Sequence, residues 1–403
     1  MTQRLFEVKG VIQNYAWGGT DFIPELLGLQ SNVEPKAEYW LGAHVNAPSI
    51  LKTSKGDQPL NDYINSNLHQ TLGDQIAMKF GRLPFLFKVL DVNDMLSIQV
   101  HPSKKEAEKG YKRENEEGIP LTAPHRNYKD DNHKPEIMVA LSEFWLLHGF
   151  LPKEKLVQVL RSTPEFNHFL TVFEEKGYLG LYKHVMEQSQ EESNKILQPL
   201  VDRIMPLYLS GKLEKSSADY WSAKAVDTSE DKTILDKGIY SIYFFNIVKV
   251  DEGEALFQDA GIPHAYLEGQ NMELMANSDN VLRGGLTPKH VDVPELLKHI
   301  KFEETKPHIL SGQIQKNHLE RIYKSPVPDF ELSQIVISAI DVYQTKTKTA
   351  EILIVIEGTV EIIEGTTSLS LHKGQSAFLI AGSRYSISTP NSAVIYKASA
   401  PIT

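Results

Sequence analysis

The sequence predicts a mainly β protein built from two jelly-roll-like β domains, the first of which carries a helical insertion. Three observations support this. Residues 1–150 are mostly short apolar or alternating runs, such as "PFLFKVL" and "EIMVAL", set between Gly, Pro, Asn and Asp clusters, which is the pattern of strands and turns. From 152 to about 230 the apolar spacing becomes helical. Strand character then returns at 238–250 and fills 329–403.

In chain order, "KKEAEKG" at 104–110 is a short helical signal in the first strand-rich part. "LPKEKLVQVLR" places Leu156, Val159 and Leu160 on one helix face. "STPEFNHFLTVFEEKG" begins with Thr163 as a cap and Pro164 in the first turn, followed by Phe166, Phe169, Leu170 and Phe173. "ILQPLVDRIMPLYLSG" continues the helical style, with Pro199 and Pro206 expected as kinks or breaks. "GIYSIYFFNIVKV" at 238–250 reads as a strand, "VPELLKHI" at 293–300 as one helix, and 301–328 as a polar connector. The expected division is a metal-binding domain of 1–151 plus 233–300, a helical domain of 152–232 and a C-terminal β domain of 301–403. Residues 18–80 could pack with either β domain. "GEALFQDAGIPHAY" (253–266) is echoed by "GQSAFLIAGSRYSI" (374–387), so that His264 falls opposite Tyr385. A pair of β domains, the second lacking metal ligands, would produce this echo, and so would chance.

The chain has 403 residues, 41% of them hydrophobic and 23% charged, enough for two or three domains. It contains no cysteine, which excludes disulfides, thiolate metal sites and a cysteine nucleophile. With 42 basic against 52 acidic residues the formal charge is −10, a field that repels nucleic acid and anionic lipid. An anionic substrate would therefore need a local cationic pocket. "MTQRLFEVKG" has no apolar signal region and no run is long enough to span a bilayer. The expectation is a cytoplasmic protein that takes a small-molecule substrate rather than nucleic-acid or membrane partners; the sequence leaves the oligomeric state open, with a monomer favoured.

The candidate chemistry begins at "MLSIQVHPS" (95–103). Period-2 alternation puts Ser97, Gln99 and His101 on one strand face and Leu96, Ile98 and Val100 on the other. Alone, this could be an ordinary solvated face. In "DDNHKPEIMVAL" (130–141), Pro135 enforces an extended approach and Glu136 opens an apolar strand. A buried acid there wants a cation, either a metal or a neighbouring Lys or Arg. In "AGIPHAYLEG" (260–269) a turn presents His264 at the start of a strand. Two histidines, a carboxylate and an amide oxygen form an N/O set suited to a divalent metal with an open position. Lys88 sits among Phe85, Leu86, Phe87, Val89 and Leu90, where an ammonium must reach an edge or face an anion. Lys134, Arg283 and Lys88 could supply the cationic pocket, and Gly284 and Gly285 could let backbone approach a ligand. Glu273, within "NMELMAN", is an acid among apolar neighbours suited to proton transfer, whereas Asp279 could simply cap a turn.

Taken together, "QNYAWGG" (13–19), "AEYWLGAHVNAPS" (37–49), "PFLFKVLDVNDMLSIQVHPSKKEA" (84–107), "DDNHKPEIMVAL" and "AGIPHAYLEGQNMELMANSDNVLRGGLTPKHVDVPELL" resemble the type I mannose-6-phosphate isomerases, also called phosphomannose isomerases. The resemblance covers most of the first 300 residues in the same order. It implies a cupin-like β architecture with a helical domain and one zinc per chain, held by Gln99, His101, Glu136 and His264. It implies Arg283 as a catalytic residue, Glu273 and Lys134 as proton-transfer groups, and Lys88 and Ser97 as substrate-binding residues; His133 and Asp279 are further substrate-binding candidates. His148 stands before the "GF" at 149–150 where the family usually has a small apolar residue, and it is expected to be structural.

The implied reaction interconverts mannose 6-phosphate and fructose 6-phosphate through a cis-enediol. Glu273 ranks first as the base and Lys134 second, with the phosphate expected at Ser97, Lys88 and nearby backbone donors. Two alternatives remain at this level. A cupin-type iron oxygenase also uses two histidines and a carboxylate, although it does not call for Gln99. A non-catalytic sugar-phosphate-binding protein could be built on the same scaffold.

Overall fold

The computed structural model describes residues 3–229 and 231–402. Among these, the strands form an 11-stranded, a 9-stranded and a 4-stranded sheet. The 11-stranded sheet folds over along one long strand, His264–Ala276. The first part of that strand pairs with Phe144–Phe150 and touches Gln99, and the second part pairs with Phe85–Val92 and Glu136–Ala140. Leu90, Met138, Leu146 and Val248 fill the space between the two halves.

The faces turned away from that space are apolar as well, because each half is covered. Ile98, Val100, Leu147 and Leu267 pack against Phe166, Tyr182 and Trp221 of the helical region. Phe85, Phe87, Ile137 and Leu274 pack against Phe6, Leu332, Ile352 and Phe378 of the 9-stranded sheet. The opposite face of the 9-stranded sheet meets the 4-stranded sheet through Ile335, Leu353, Ile362 and Ile395. A strand buried on both faces reads as a continuous apolar run, which is how "PFLFKVL" appears in the sequence. The 9-stranded sheet draws in Leu5–Lys9 and Ile50–Thr53 from the N-terminal part, with Leu5 opposite Leu379.

The structure corrects four local readings. Gly238–Phe244 is a helix, and the strand begins only at Phe245. All seven helix residues are buried, so no periodicity marked the difference between a buried helix and a buried strand. The helix Gln190–Leu209 runs unbroken through Pro199 and Pro206. A capping box of Ser189 with Glu192 and a buried face including Leu197, Leu200 and Ile204 hold it despite two missing N–H donors. The connector 301–328 contains the short strands Ile309–Leu310, Gln313–Ile314 and Glu320–Tyr323. Gly284 and Gly285 accommodate the chain itself: a Cβ on Gly285 (φ +117°) would lie 2.6 Å from the Gly238 nitrogen.

Candidate metal centre

Three segments meet at the open edge of the folded sheet. The short strand Gln99–Val100 ends just before His101, and Pro102 follows. The turn before His264 is tied to that strand end, since Gly261 N donates to the His101 carbonyl at 3.0 Å. Pro135 delivers Glu136 in extended chain, and its carbonyl accepts from Ala276 N at 3.1 Å. The expected alternation holds only in part. Ile98 and Val100 are in the apolar core and Gln99 lines the cavity, but Leu96 lines the cavity too and Ser97 does not, because the strand is only Gln99–Val100 and the chain before it is irregular.

The result is a compact donor set. Ligand atoms of His101, Glu136 and His264 all lie within 4.8 Å of one another. Each histidine Nε2 is 3.4 Å from one oxygen of Glu136, His101 from Oε1 and His264 from Oε2. His101 Nδ1 donates to the Asn280 carbonyl at 2.8 Å, and His264 Nδ1 donates to the Ile262 carbonyl at 2.8 Å. These bonds fix the tautomers and leave both Nε2 lone pairs aimed inward, the usual arrangement behind metal-ligating histidines. His101 Nε2 is buried with no hydrogen-bond partner. An orphaned buried nitrogen is costly unless something binds it, so the residues fit a divalent cation. Burial, then Lys134, pushes the His101 imidazole down to about 4, so it is neutral and ready to ligate at neutral pH. Against burial, Lys134 and His101 hold Glu136 well below the usual carboxylate range. Gln99 lines the same cavity, opposite His264 in strand register and next to Arg283.

A second charged group forms the other wall. Lys88 is buried between two carboxylates, 3.0 Å from Glu273 and 3.3 Å from Glu38, with its ammonium 5.1 Å from the Trp40 ring. Trp40 Nε1 donates to Glu38. Tyr266 donates to Glu273 at 2.9 Å and accepts from Gln258 at the same distance. Burial, partly offset by Lys88, raises the Glu273 carboxyl above its ordinary range. Lys134 reaches the cavity and pairs with Glu136 at 3.0 Å.

The remaining candidates lie around this centre. Arg283 is half-buried, and burial lowers its pKa. Lys289 is close enough for Arg283 to add to a lowering caused first by burial. Asp279 is held by His44 Nε2 at 3.1 Å, and Ser97 is half-buried two residues before Gln99. Neither is among the residues lining the cavity. His133 also lies outside the lining, with Nε2 on Asp329 at 3.1 Å. His148 sits opposite His264 across the strand pair, where burial, then His264, pushes it down to about 3. Glu38, His44 and Tyr266 were not picked out in the sequence. An acid inside the apolar run "AEYWLG" was the available signal for Glu38, and a tyrosine two positions after His264 was the signal for Tyr266.

Comparison with known proteins agrees with this geometry. Residues 5–153 match the family model described as phosphomannose isomerase type I, catalytic domain. The mannose-6-phosphate isomerase of Escherichia coli (strain K12) is 38% identical over 376 residues, covering 92% of this chain and 93% of that protein. The Homo sapiens mannose-6-phosphate isomerase is 32% identical, with 98% of each chain covered. The crystal structure of the Salmonella typhimurium enzyme bound to fructose 6-phosphate and zinc superposes with a TM-score of 0.87 at 33% identity, over 99% of this chain and all of that one. Related along nearly its whole length to these enzymes, the chain belongs to the type I phosphomannose isomerase family.

Proposed function

We infer that the protein is a zinc-dependent aldose–ketose isomerase interconverting mannose 6-phosphate and fructose 6-phosphate. The observation that carries this reading is the convergence of His101, Glu136 and His264 in a chain similar from end to end to isomerases of that name. Gln99 completes the proposed ligand set. Two neutral imidazoles, one amide and one carboxylate suit zinc. The amide also weighs against the iron oxygenase alternative. In fold terms the reading is two jelly-roll-like β units with helices inserted at 152–232, the C-terminal unit being completed by Leu5–Lys9 and Ile50–Thr53.

When bound, zinc supplies Lewis-acid stabilisation of charge developing on the sugar oxygens. The chain's own residues do the rest. Glu273 takes the proton from the sugar carbon and returns it to the neighbouring one, through a cis-enediol. Its raised pKa and its hydrogen bond from Tyr266 support that role. Lys88 keeps the pair of buried acids compensated, so its ammonium is already engaged and is not the phosphate contact. Arg283, opposite Gln99 in strand register, with the nearby cation Lys289, is the better phosphate and enediolate contact. Lys134 orients Glu136 and can hold a sugar hydroxyl.

A coupled assay with mannose 6-phosphate tests the reaction, and solvent-proton exchange into the sugar tests the base. Glu273→Gln is expected to retain zinc and lose about 100-fold or more in turnover together with exchange. Unchanged turnover rules Glu273 out. A zinc-loaded protein that binds the sugar phosphate without turnover supports the binding-protein alternative.

A further inference from the structure

The segment that carries Lys134 and Glu136 is fixed from two directions. On one flank, Asp130 accepts from Asn132 N, Ser278 Oγ and Asp279 N, each at 2.8 Å, and Asn280 Nδ2 donates to the Asn132 carbonyl at 2.8 Å. On the other flank, a residue 196 positions later reaches it: His133 Nε2 lies 3.1 Å from both carboxylate oxygens of Asp329. Asp329 is 2% exposed. It precedes Phe330, which is buried in the core between the 11-stranded and 9-stranded sheets. Ser325 Oγ donates to the Phe330 carbonyl at 2.9 Å, closing the loop that presents the aspartate.

The geometry has a direct consequence for the metal centre. Pro135 restricts the chain before it, and the neighbouring His133 and Lys134 reach different partners, Asp329 for the first and Glu136 for the second. With His133 pinned, the segment cannot roll about its axis, and Lys134 is held 3.0 Å from Glu136. A ligating carboxylate is positioned through the groups behind it as much as through its own chain. We propose that Asp329 is a positioning residue for the metal centre: through His133, the C-terminal strands set the orientation of Lys134 and Glu136. This rests on the isomerase reading only for its kinetic consequence.

The test uses the full chain, zinc-loaded for kinetics and cobalt-loaded for visible absorption, which reports ligand geometry. Asp329→Ala is expected to lower kcat about tenfold or more with KM little changed, and to shift the cobalt spectrum. Asp329→Asn serves if the alanine variant does not fold, and is read by the same criteria. His133→Asn combined with Asp329→Ala is expected to be no worse than Asp329→Ala alone, since the two act as one unit. Phe330→Leu is the control for loosening the same loop: earlier unfolding, unmoved kcat, unmoved spectrum. An Asp329 variant that behaves like the Phe330 control overturns the proposal. An inactive wild-type protein overturns the isomerase reading instead, and the cobalt spectrum still decides the role of Asp329.

Discussion

The folded 11-stranded sheet and the C-terminal sheets each hold a buried polar cluster, and the two are finished differently. In the first, His101, Glu136 and His264 converge and leave a buried nitrogen without a partner. In the second, a lysine occupies the middle. Lys397 Nζ is 2.6 Å from Glu320 and 3.1 Å from the Tyr343 hydroxyl. Ser333 and Tyr343 donate to Glu320 at 2.8 and 2.9 Å, and Tyr385 donates to the buried Glu351 at 2.7 Å. Tyr385 is the residue that the weak sequence echo sets opposite His264. In the first cluster Lys134 pairs with Glu136 yet the His101 Nε2 is left unpartnered, whereas in the second Lys397 and the tyrosine and serine hydroxyls engage the carboxylates. The difference shows how similar β surroundings become either a binding site or a closed network. What decides is whether the acceptors are left for a ligand or matched from within the chain.

The sharpest way to break this comparison is to damage the open cluster. His264→Ala is expected to lose zinc and at least about 1,000-fold in activity, because Lewis-acid stabilisation amounts to several kcal/mol. Metal content by elemental analysis and the coupled assay check it together. Activity surviving without metal contradicts the account. The corresponding change in the closed cluster is Lys397→Met, which leaves Glu320 and Glu351 without their counter-charge. Breaking a buried pair costs about 3–5 kcal/mol, so an earlier unfolding transition is expected, with zinc content and KM unchanged. Adding Glu320→Gln should recover part of the loss. If Lys397→Met strips the zinc, the two clusters are not independent.

The smallest expected effect is in the pH dependence. Against burial, Lys397 holds Glu320 below its ordinary value of 4.5. Its contribution is therefore complete above that value and is lost only as the pH falls further. Lys397 is raised, since the acids that face it, Glu351 first, outweigh a burial that lowers it. Its contribution is complete below the ordinary lysine range and is lost only at the alkaline extreme. The Glu320–Lys397 pair should thus be flat from about pH 5 to pH 10. Glu351, whose carboxyl burial raises above its ordinary 4.5, instead gives stability that is complete below that value and is lost as the pH rises through its folded range. In the open cluster, protons compete with zinc for imidazole nitrogens. Activity should accordingly fall on the acid side above about pH 5, where the unfolding transition of the C-terminal sheets does not fall with it. Parallel acid titrations of activity and unfolding read this directly.

Much of the metal centre is legible in the sequence. His101 announces itself as a polar residue before a strand-ending proline, Glu136 as an acid behind Lys-Pro, and His264 as a turn-borne histidine, with Gln99 lining the cavity beside them. These are local signals. Glu38 and Tyr266 were not legible, because their meaning depends on register: Lys88 stands opposite both Trp40 and Glu273 only once the strands pair. Lys88 was placed in a polar pocket correctly in kind, but the partners it found were buried carboxylates. The same limit hid Asp329, whose contact with His133 spans the chain, and the Lys397 cluster, whose members come from separate strands. The 238–244 helix was misread because a segment buried on all sides carries no amphipathic period.

The central claim is that the converging side chains hold the zinc on which isomerisation depends. The most direct measurement is the coupled mannose 6-phosphate assay on protein stripped of metal and then titrated with zinc. The account expects activity to vanish on stripping and return to its original level at one zinc per chain. Full activity in the stripped protein, or none after zinc is restored to a folded chain, contradicts it.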